Sequence, residues 1–504
     1  MKAESSSRRQ NAKLNITVAL LYQLVSAIIG LVLPRYILQT FGSDVNGIMQ
    51  AVSQLLSYAV ILECGIGGMV IASFYKPLAV NDTEAISDIF NNTKAFFKKI
   101  SIIYVVMMIC LVLFSKVFIK TDFDAVYVGA LTLILGLNYY FNYYFGISHQ
   151  LLIKADQKIY VVQLIQIVTI ILNALVCIAA IKIGFGIHLV KLLSAAVFLL
   201  NPLVYRIYVK RHYKINKRMY DPDRAFPKKK EGLVHHISYF IHRNTDIVLL
   251  SLFCGVKEVS VYSVYYSIVF AIENLLNAIS TGLSGAIGNI IAKRESKILH
   301  DSFQIYESFN TIITSFFYTV SAILIVPFIK IYTKGVTDAE YVRYVFAYML
   351  ILSQWFYCIR IPYGNVVNAA GHYKETKPGA YMEASLNFGI SIVAVHKYGL
   401  NGVIFGSMVA MFARTIYTVW YLSKHILKRK VIKFVKEVGL NFVFGFAVVV
   451  ASQFIYTVST DSFFAWFVDA VLISIIVFSG FLVLNVFVYN HVFTMLFRTI
   501  RKKS

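Results

Sequence analysis

Apolar runs of about 20 residues recur from end to end of this 504-residue chain, and that is the length a helix needs to cross the hydrocarbon core of a bilayer. Fourteen such runs are centred near residues 29, 61, 109, 136, 170, 197, 243, 271, 319, 351, 389, 412, 447 and 476. The expected fold is therefore an all-α polytopic membrane protein. Composition agrees, with 58% hydrophobic and only 14% charged residues, where a soluble chain carries roughly 25% charged. The N-terminal segment MKAESSSRRQNAK is basic. The apolar run after it is too long for a signal peptide and has no small-residue cleavage site, so it is expected to remain as the first span.

The net charge of +23 would suit a nucleic-acid binder, but its distribution excludes that reading. An even number of spans puts both termini on one side. If that side is the cytoplasm, 35 of the 48 lysines and arginines fall in inner segments, nine in outer loops and four within spans. This is the positive-inside asymmetry of a plasma-membrane protein with cytoplasmic termini, and its inner charges suit anionic headgroups. The richest inner segment is RHYKINKRMYDPDRAFPKKKEG, residues 211–232. The five cysteines stand singly in apolar segments and read as small core residues, not as a disulfide framework.

The basic segment divides a repeat. TFGSDVNGIMQAVSQLL (40–56) matches LFCGVKEVSVYSVYYSI (252–268), with Gly42 facing Gly255. Further on, Ala155 faces Ala370, Asn173 faces Asn387 and Gly184 faces Gly399, at offsets of 213 to 215 residues. Six spans per repeat make the two copies parallel in the membrane, a transporter layout suited to alternating access. The expected organisation is a six-helix bundle over 1–210, a basic cytoplasmic linker over 211–232, a second six-helix bundle over 233–430, and two additional helices with a basic tail over 431–504.

Charged side chains within spans are costly and usually face a cavity or a partner. The basic ones are Arg35, Arg243, Arg360 and Arg414, all arginine, with Arg35 and Arg360 placed toward span ends. A guanidinium stays charged and grips phosphate oxygens in pairs, so these four are candidate ligands for an anionic, phosphate-bearing substrate. Pairing with carboxylates is the alternative. Asp246, Glu63, Glu273 and Glu383 are candidate ion-coupling groups, and Glu307 and Asp469 also fall within spans. In HHISYFIHRNTDIVLL (235–250), helical spacing puts His235, Tyr239, His242 and Asp246 on one face with Arg243 beside them. No HExxH, Cys/His cluster or phosphate-cradling glycine loop is present, so no metal or nucleotide cofactor is expected. The aromatic run NYYFNYYFG (138–146) reads as an interfacial belt closing the fourth span, with stacking on a sugar ring as the other reading.

Several stretches resemble a known family. LPRYILQTFGSDVNGIMQAVSQLLSYAVILECGIGGMVIASFYKPLA (33–79), NTDIVLLSLFCGVKEVSVYSV (244–264) and NAAGHYKETKPGAYMEASLNFGISIVAVHKYGLNGVIFGSMVA (368–410) are similar to bacterial polysaccharide flippases of the Wzx type. These belong to the multidrug/oligosaccharidyl-lipid/polysaccharide exporter superfamily. The resemblance implies two six-helix bundles plus two helices and a cavity lined by cationic groups. It implies transfer of an undecaprenyl-diphosphate-linked glycan to the outer leaflet, coupled to a proton or sodium ion. Polysaccharide polymerase and glycosyltransferases would be its partners. Asp246 matches the family's acidic position in the seventh span, and Arg35 lies in the matching first-span motif. A lipid II flippase and a multidrug extruder share the architecture and stay open. A membrane-embedded glycosyltransferase or polymerase is the reading from another class.

Overall fold

The computed structural model describes residues 2–58, 63, 66–216, 244–293, 296–490 and 494. Among them every regular element is helical. In the first half these are α1 (Lys2–Ser57), α2 (Ile66–Val80), α3 (Thr83–Leu113), α4 (Ser115–Phe118), α5 (Ala125–Phe141), α6 (Ile147–Ala155), α7 (Ile159–Ile183), α8 (Ile187–Phe198) and α9 (Leu200–His212). The second half begins with α10 (Asn244–Cys254). It continues with α11 (Val256–Ala292), α12 (Ser296–Tyr332), α13 (Tyr344–Ile359), α14 (Ile361–Ala369), α15 (Lys377–His425), α16 (Ile432–Ile455) and α17 (Phe463–Val488).

Eleven helices among the described residues are long and apolar enough to cross a membrane. Two of them contain a break. The backbone of α1 leaves helical geometry at Gly42 (φ 80°, ψ 177°) and that of α15 at Gly399 (φ 53°, ψ −128°), regions open almost only to glycine. Beyond Gly399 the chain doubles back, so that Gly402 lies against the Ala394 carbonyl and Gly406 against Ser391. Divided at these breaks, α1 and α15 supply two expected spans each, and α10 is the described part of the span expected near residue 243. The second span comprises the end of α1 and α2.

The glycines paired by the repeat share a positive φ as well as a position. Gly42 and Gly255 have φ of 80° and 95°, and Gly184 and Gly399 have 93° and 53°. The fourth span of each half is also broken. The π-helical turn Asn142–Gly146 joins α5 to α6, which ends at Ala155, and Arg360 joins α13 to α14, which ends at Ala369. This corrects two expectations. The aromatic run 138–146 lies inside its span, with Tyr143 only 4% exposed, so it is not a belt at the span's end. Arg360 likewise sits within the Tyr344–Ala369 span and not at its edge.

By proximity the chain forms two compact units, Met1–Ile237 with Gly255–Ser260, and Ser238–Cys254 with Val261–Ser504. In the first, Tyr104, Phe97 and Tyr143 gather their rings between α3 and the π-turn. In the second, Phe303, Tyr306, Tyr363, Val366 and Leu422 form a buried core. The outer faces of α16 and α17 are apolar, with Phe454 86% and Phe487 82% exposed, as a lipid-facing surface requires. The basic segment expected over 211–232 is described only as far as residue 216.

Candidate functional site

Asp246 is 5% exposed on α10. Its carboxylate accepts the Tyr262 hydroxyl at 3.0 Å and the Ser407 hydroxyl at 2.8 Å to both oxygens. Ser407 in turn accepts the Asn387 amide at 2.7 Å. Tyr262 comes from α11, while Asn387 and Ser407 come from the two arms of α15. Gly406 permits the close approach of those arms, because a Cβ there would meet Ser391 and the Asn387 carbonyl.

Asp246, Tyr262 and Ser407 line a cavity of about 30 Å³, together with Tyr266, Glu273 and Tyr357. That is room for only a few water-sized groups. Glu273 is 2% exposed and accepts the Asn277 amide at 3.4 Å. Two carboxylates and several hydroxyls around so small a space form an oxygen-rich nest, which suits a proton or a single hard cation.

Next to this cavity lies a cluster of opposite sign. Arg360 Nη2 donates to Glu383 Oε1 at 2.6 Å, and Arg414 Nε lies 3.5 Å from Glu383 Oε2. The three side chains are only 10–14% exposed. Arg360 lies over the Tyr357 ring at 5.2 Å, and Tyr357 also lines the carboxylate cavity. Arg414 Nη1 donates to the Thr376 carbonyl at 3.2 Å. Gly379 makes room for it, since a Cβ at that position would collide with both Arg414 and Tyr417. One carboxylate between two guanidiniums leaves a net positive charge, and Arg360 Nη1 is buried without a hydrogen-bond partner. A buried cationic donor of this kind is costly unless an anion meets it.

The sequence candidates therefore separate. Arg360, Arg414 and Glu383 come together, with Glu383 serving as the counter-charge of the arginines. Asp246 and Glu273 share the neighbouring cavity. In the first unit Arg35 is half-buried on α1, and Glu63 accepts the Tyr143 hydroxyl at 2.7 Å. Arg243, His235, Tyr239 and His242 lie outside the described residues. Sequence reasoning missed Tyr262 and Ser407 as partners of Asp246, although the repeat had marked Asn387. It also missed Arg429, which grips Glu307 through both terminal nitrogens at 2.5 and 2.6 Å and donates to the Tyr363 hydroxyl at 2.7 Å. Its only sequence signal was the basic stretch KRK at 428–430.

No protein-family model and no curated protein matches this chain. Solved structures do. The lipid II flippase MurJ in its inward closed conformation is similar over 94% of this chain and 100% of its own, with TM-score 0.72 and 16% identity. An inward-facing multidrug resistance MATE family transporter of the MOP superfamily is similar over 82% of this chain and 99% of its own, with TM-score 0.55 and 14% identity. A Vibrio cholerae MATE transporter, VcmN, is similar over 86% and 99%, with TM-score 0.53 and 13% identity. The fold is thus like that of the MurJ and MATE structures. Its helices are those of a multi-pass membrane protein, and the solved structures it resembles are a flippase and transporters.

Proposed function

We propose that this MOP-fold chain is a flippase moving an undecaprenyl-diphosphate-linked oligosaccharide from the inner to the outer leaflet of the plasma membrane, for surface polysaccharide synthesis. The observation that carries this reading is the buried Arg360–Glu383–Arg414 cluster, with one guanidinium nitrogen left over for an acceptor. A diphosphate supplies anionic oxygens that match the planar fork of arginine. The same cluster disfavours an organic cation, and so the multidrug reading. The adjacent Asp246–Glu273 cavity would take the coupling proton or sodium ion. Cargo and ion would be linked because each favours one state of the same inward–outward equilibrium. Tyr357, common to both sites, is the short path between them.

A lipid II flippase is the second reading, favoured by the TM-score of 0.72 to MurJ against 0.55 and 0.53 to the MATE transporters. Both cargoes carry the same diphosphate, so the arginine chemistry serves either. Proteoliposomes loaded with one or the other would separate them, read by the leaflet-specific accessibility of a labelled sugar. In that assay Arg360→Gln and Arg414→Gln should each slow flipping about 10- to 100-fold, the value of one charged hydrogen bond. Arg360→Lys should recover only part of the rate, since the fork is lost. Undiminished flipping in all three, at equal protein levels, would remove the diphosphate from this cluster.

A further inference from the structure

The first unit holds a cavity of about 300 Å³ that the reading above does not use. Five amide side chains line it: Asn138, Asn142, Gln150, Gln166 and Asn201. Its rings are Tyr139, Phe198 and Tyr205, and no charged residue is among the lining. Its volume falls at the lower end of the range for small-molecule sites, about 300–1,000 Å³.

We infer that this cavity is a subsite for an uncharged sugar ring of the transported glycan. The ligand class follows from the lining. An amide both donates and accepts, as a hydroxyl does, so a ring of amides suits a polyhydroxylated neutral ligand. A phosphate would require cationic donors, an organic cation a carboxylate, and a lipid tail an apolar wall. The aromatic rings supply flat faces for the C–H side of a pyranose.

Two observations point to a ligand independently of composition. Tyr205 is 1% exposed and lines the cavity, with its hydroxyl beside the Gln150 and Gln166 amides. A buried hydroxyl and two amides lining one cavity form a polar set that an incoming sugar hydroxyl can join as donor and acceptor. The second observation is the π-helical turn Asn142–Gly146, a helical irregularity that commonly marks functional sites. Gly146 allows its close packing, since a Cβ there would press on Asn142 Oδ1 and Pro202. Asn201 is also held in place: its Oδ1 accepts the Thr169 hydroxyl at 2.7 Å, so what it offers a ligand is its N–H donors. Tyr139 and Asn142 belong to the aromatic run at 138–146, whose sugar-stacking reading thereby gains a site.

The ligand class rests on the glycan-flippase reading, but the test does not require flipping. Full-length protein in nanodiscs would be mixed with free neutral mono- and disaccharides covering hexoses, N-acetylhexosamines and deoxyhexoses, without lipid or diphosphate. Saturation-transfer NMR would report binding. At least one sugar should bind the wild type, and Asn201→Ala, Asn142→Ala and Tyr139→Leu should each weaken it about three- to tenfold. Asn142 is exposed, so its variant preserves the test if Asn201→Ala fails to fold. Arg360→Gln should bind the free sugar as the wild type does. If no sugar in the set binds, or if all three cavity variants bind unchanged, the subsite is overturned while the arginine assay still decides the flippase reading. If Arg360→Gln flips normally and the sugar still binds through the amides, the diphosphate assignment fails and the subsite stands.

Discussion

The partners of each buried charge explain why single residues carry so much here. Arg429 and Glu307 are 5% and 3% exposed and joined through both terminal nitrogens, so that pair is neutral in charge although Arg429 Nε meets no acceptor. The Arg360–Glu383–Arg414 cluster is not neutral and keeps a cationic donor unmet. Asp246 differs from both in that its described partners are hydroxyls, which can donate to a carboxylate or rearrange around a carboxylic acid. That makes it the residue best suited to take up and release an ion. Asp246→Asn keeps the size and most hydrogen bonds but fixes the side chain as neutral. The variant is expected to bind cargo within about threefold of wild type, because the arginine cluster is intact. Its flipping in vesicles should lose all response to an imposed proton or sodium gradient. An undiminished response would make Asp246 a structural group only. The positions of Asp246, Arg360, Arg414 and Glu383 were legible in the sequence as charges within spans. Their pairing was not, because Glu383 lies 23 residues from Arg360 and 31 from Arg414, separations that only the folded helices close.

At the scale of elements, hydropathy located the spans well and their irregularities poorly. Apolar runs mark where helices cross, since the bilayer demands their length. Breaks depend on backbone conformation, which apolar periodicity does not encode. Thus α1 contains Pro34, yet the residue at which it leaves helical geometry is Gly42. The repeat was the stronger guide, for the glycines it paired are those that turn. The hairpin in α15 ties this backbone geometry to the site. Gly406 seats one arm against Ser391 and Asn387 on the other, and Ser407 beside it carries the bond to Asp246. Gly406→Ala should lower stability by about 1–3 kcal/mol, the usual cost of overpacking. It should also weaken the gradient response, because the arms must part and the Asn387–Ser407–Asp246 chain lengthens. Gly389 on the same helix has open space around it, and an alanine there should do neither. Thermal melting and gradient-driven flipping, measured on both variants, would check the pairing. Equal behaviour of the two would break the link between hairpin packing and the ion site.

At the scale of the whole molecule, the fourteen-span count and the sorting of basic residues support the same topology. By alternation of the expected spans along the sequence, Asp156–Lys158 and the 370–376 segment are expected on the side of the basic segments, and the 333–343 and 456–462 loops on the other. Thirty-five of 48 lysines and arginines then lie inside and nine outside, far from the even split that chance would produce. The charge sort rests on the span count and so tests it. The two would disagree if a single span were missed, because every later loop would change sides. Both termini are therefore expected in the cytoplasm. The test is a background lacking the five native cysteines, with single cysteines placed at the exposed positions Gln157, Lys374, Thr337 and Thr460. A membrane-impermeant maleimide added to intact cells should label Thr337→Cys and Thr460→Cys. It should reach Gln157→Cys and Lys374→Cys only after the membrane is opened. The pair in the second unit is the sharper half of the experiment. If Lys374→Cys is labelled in intact cells while Gln157→Cys is not, the two halves are inverted relative to each other. The parallel repeat would then be wrong even though every helix stayed in place.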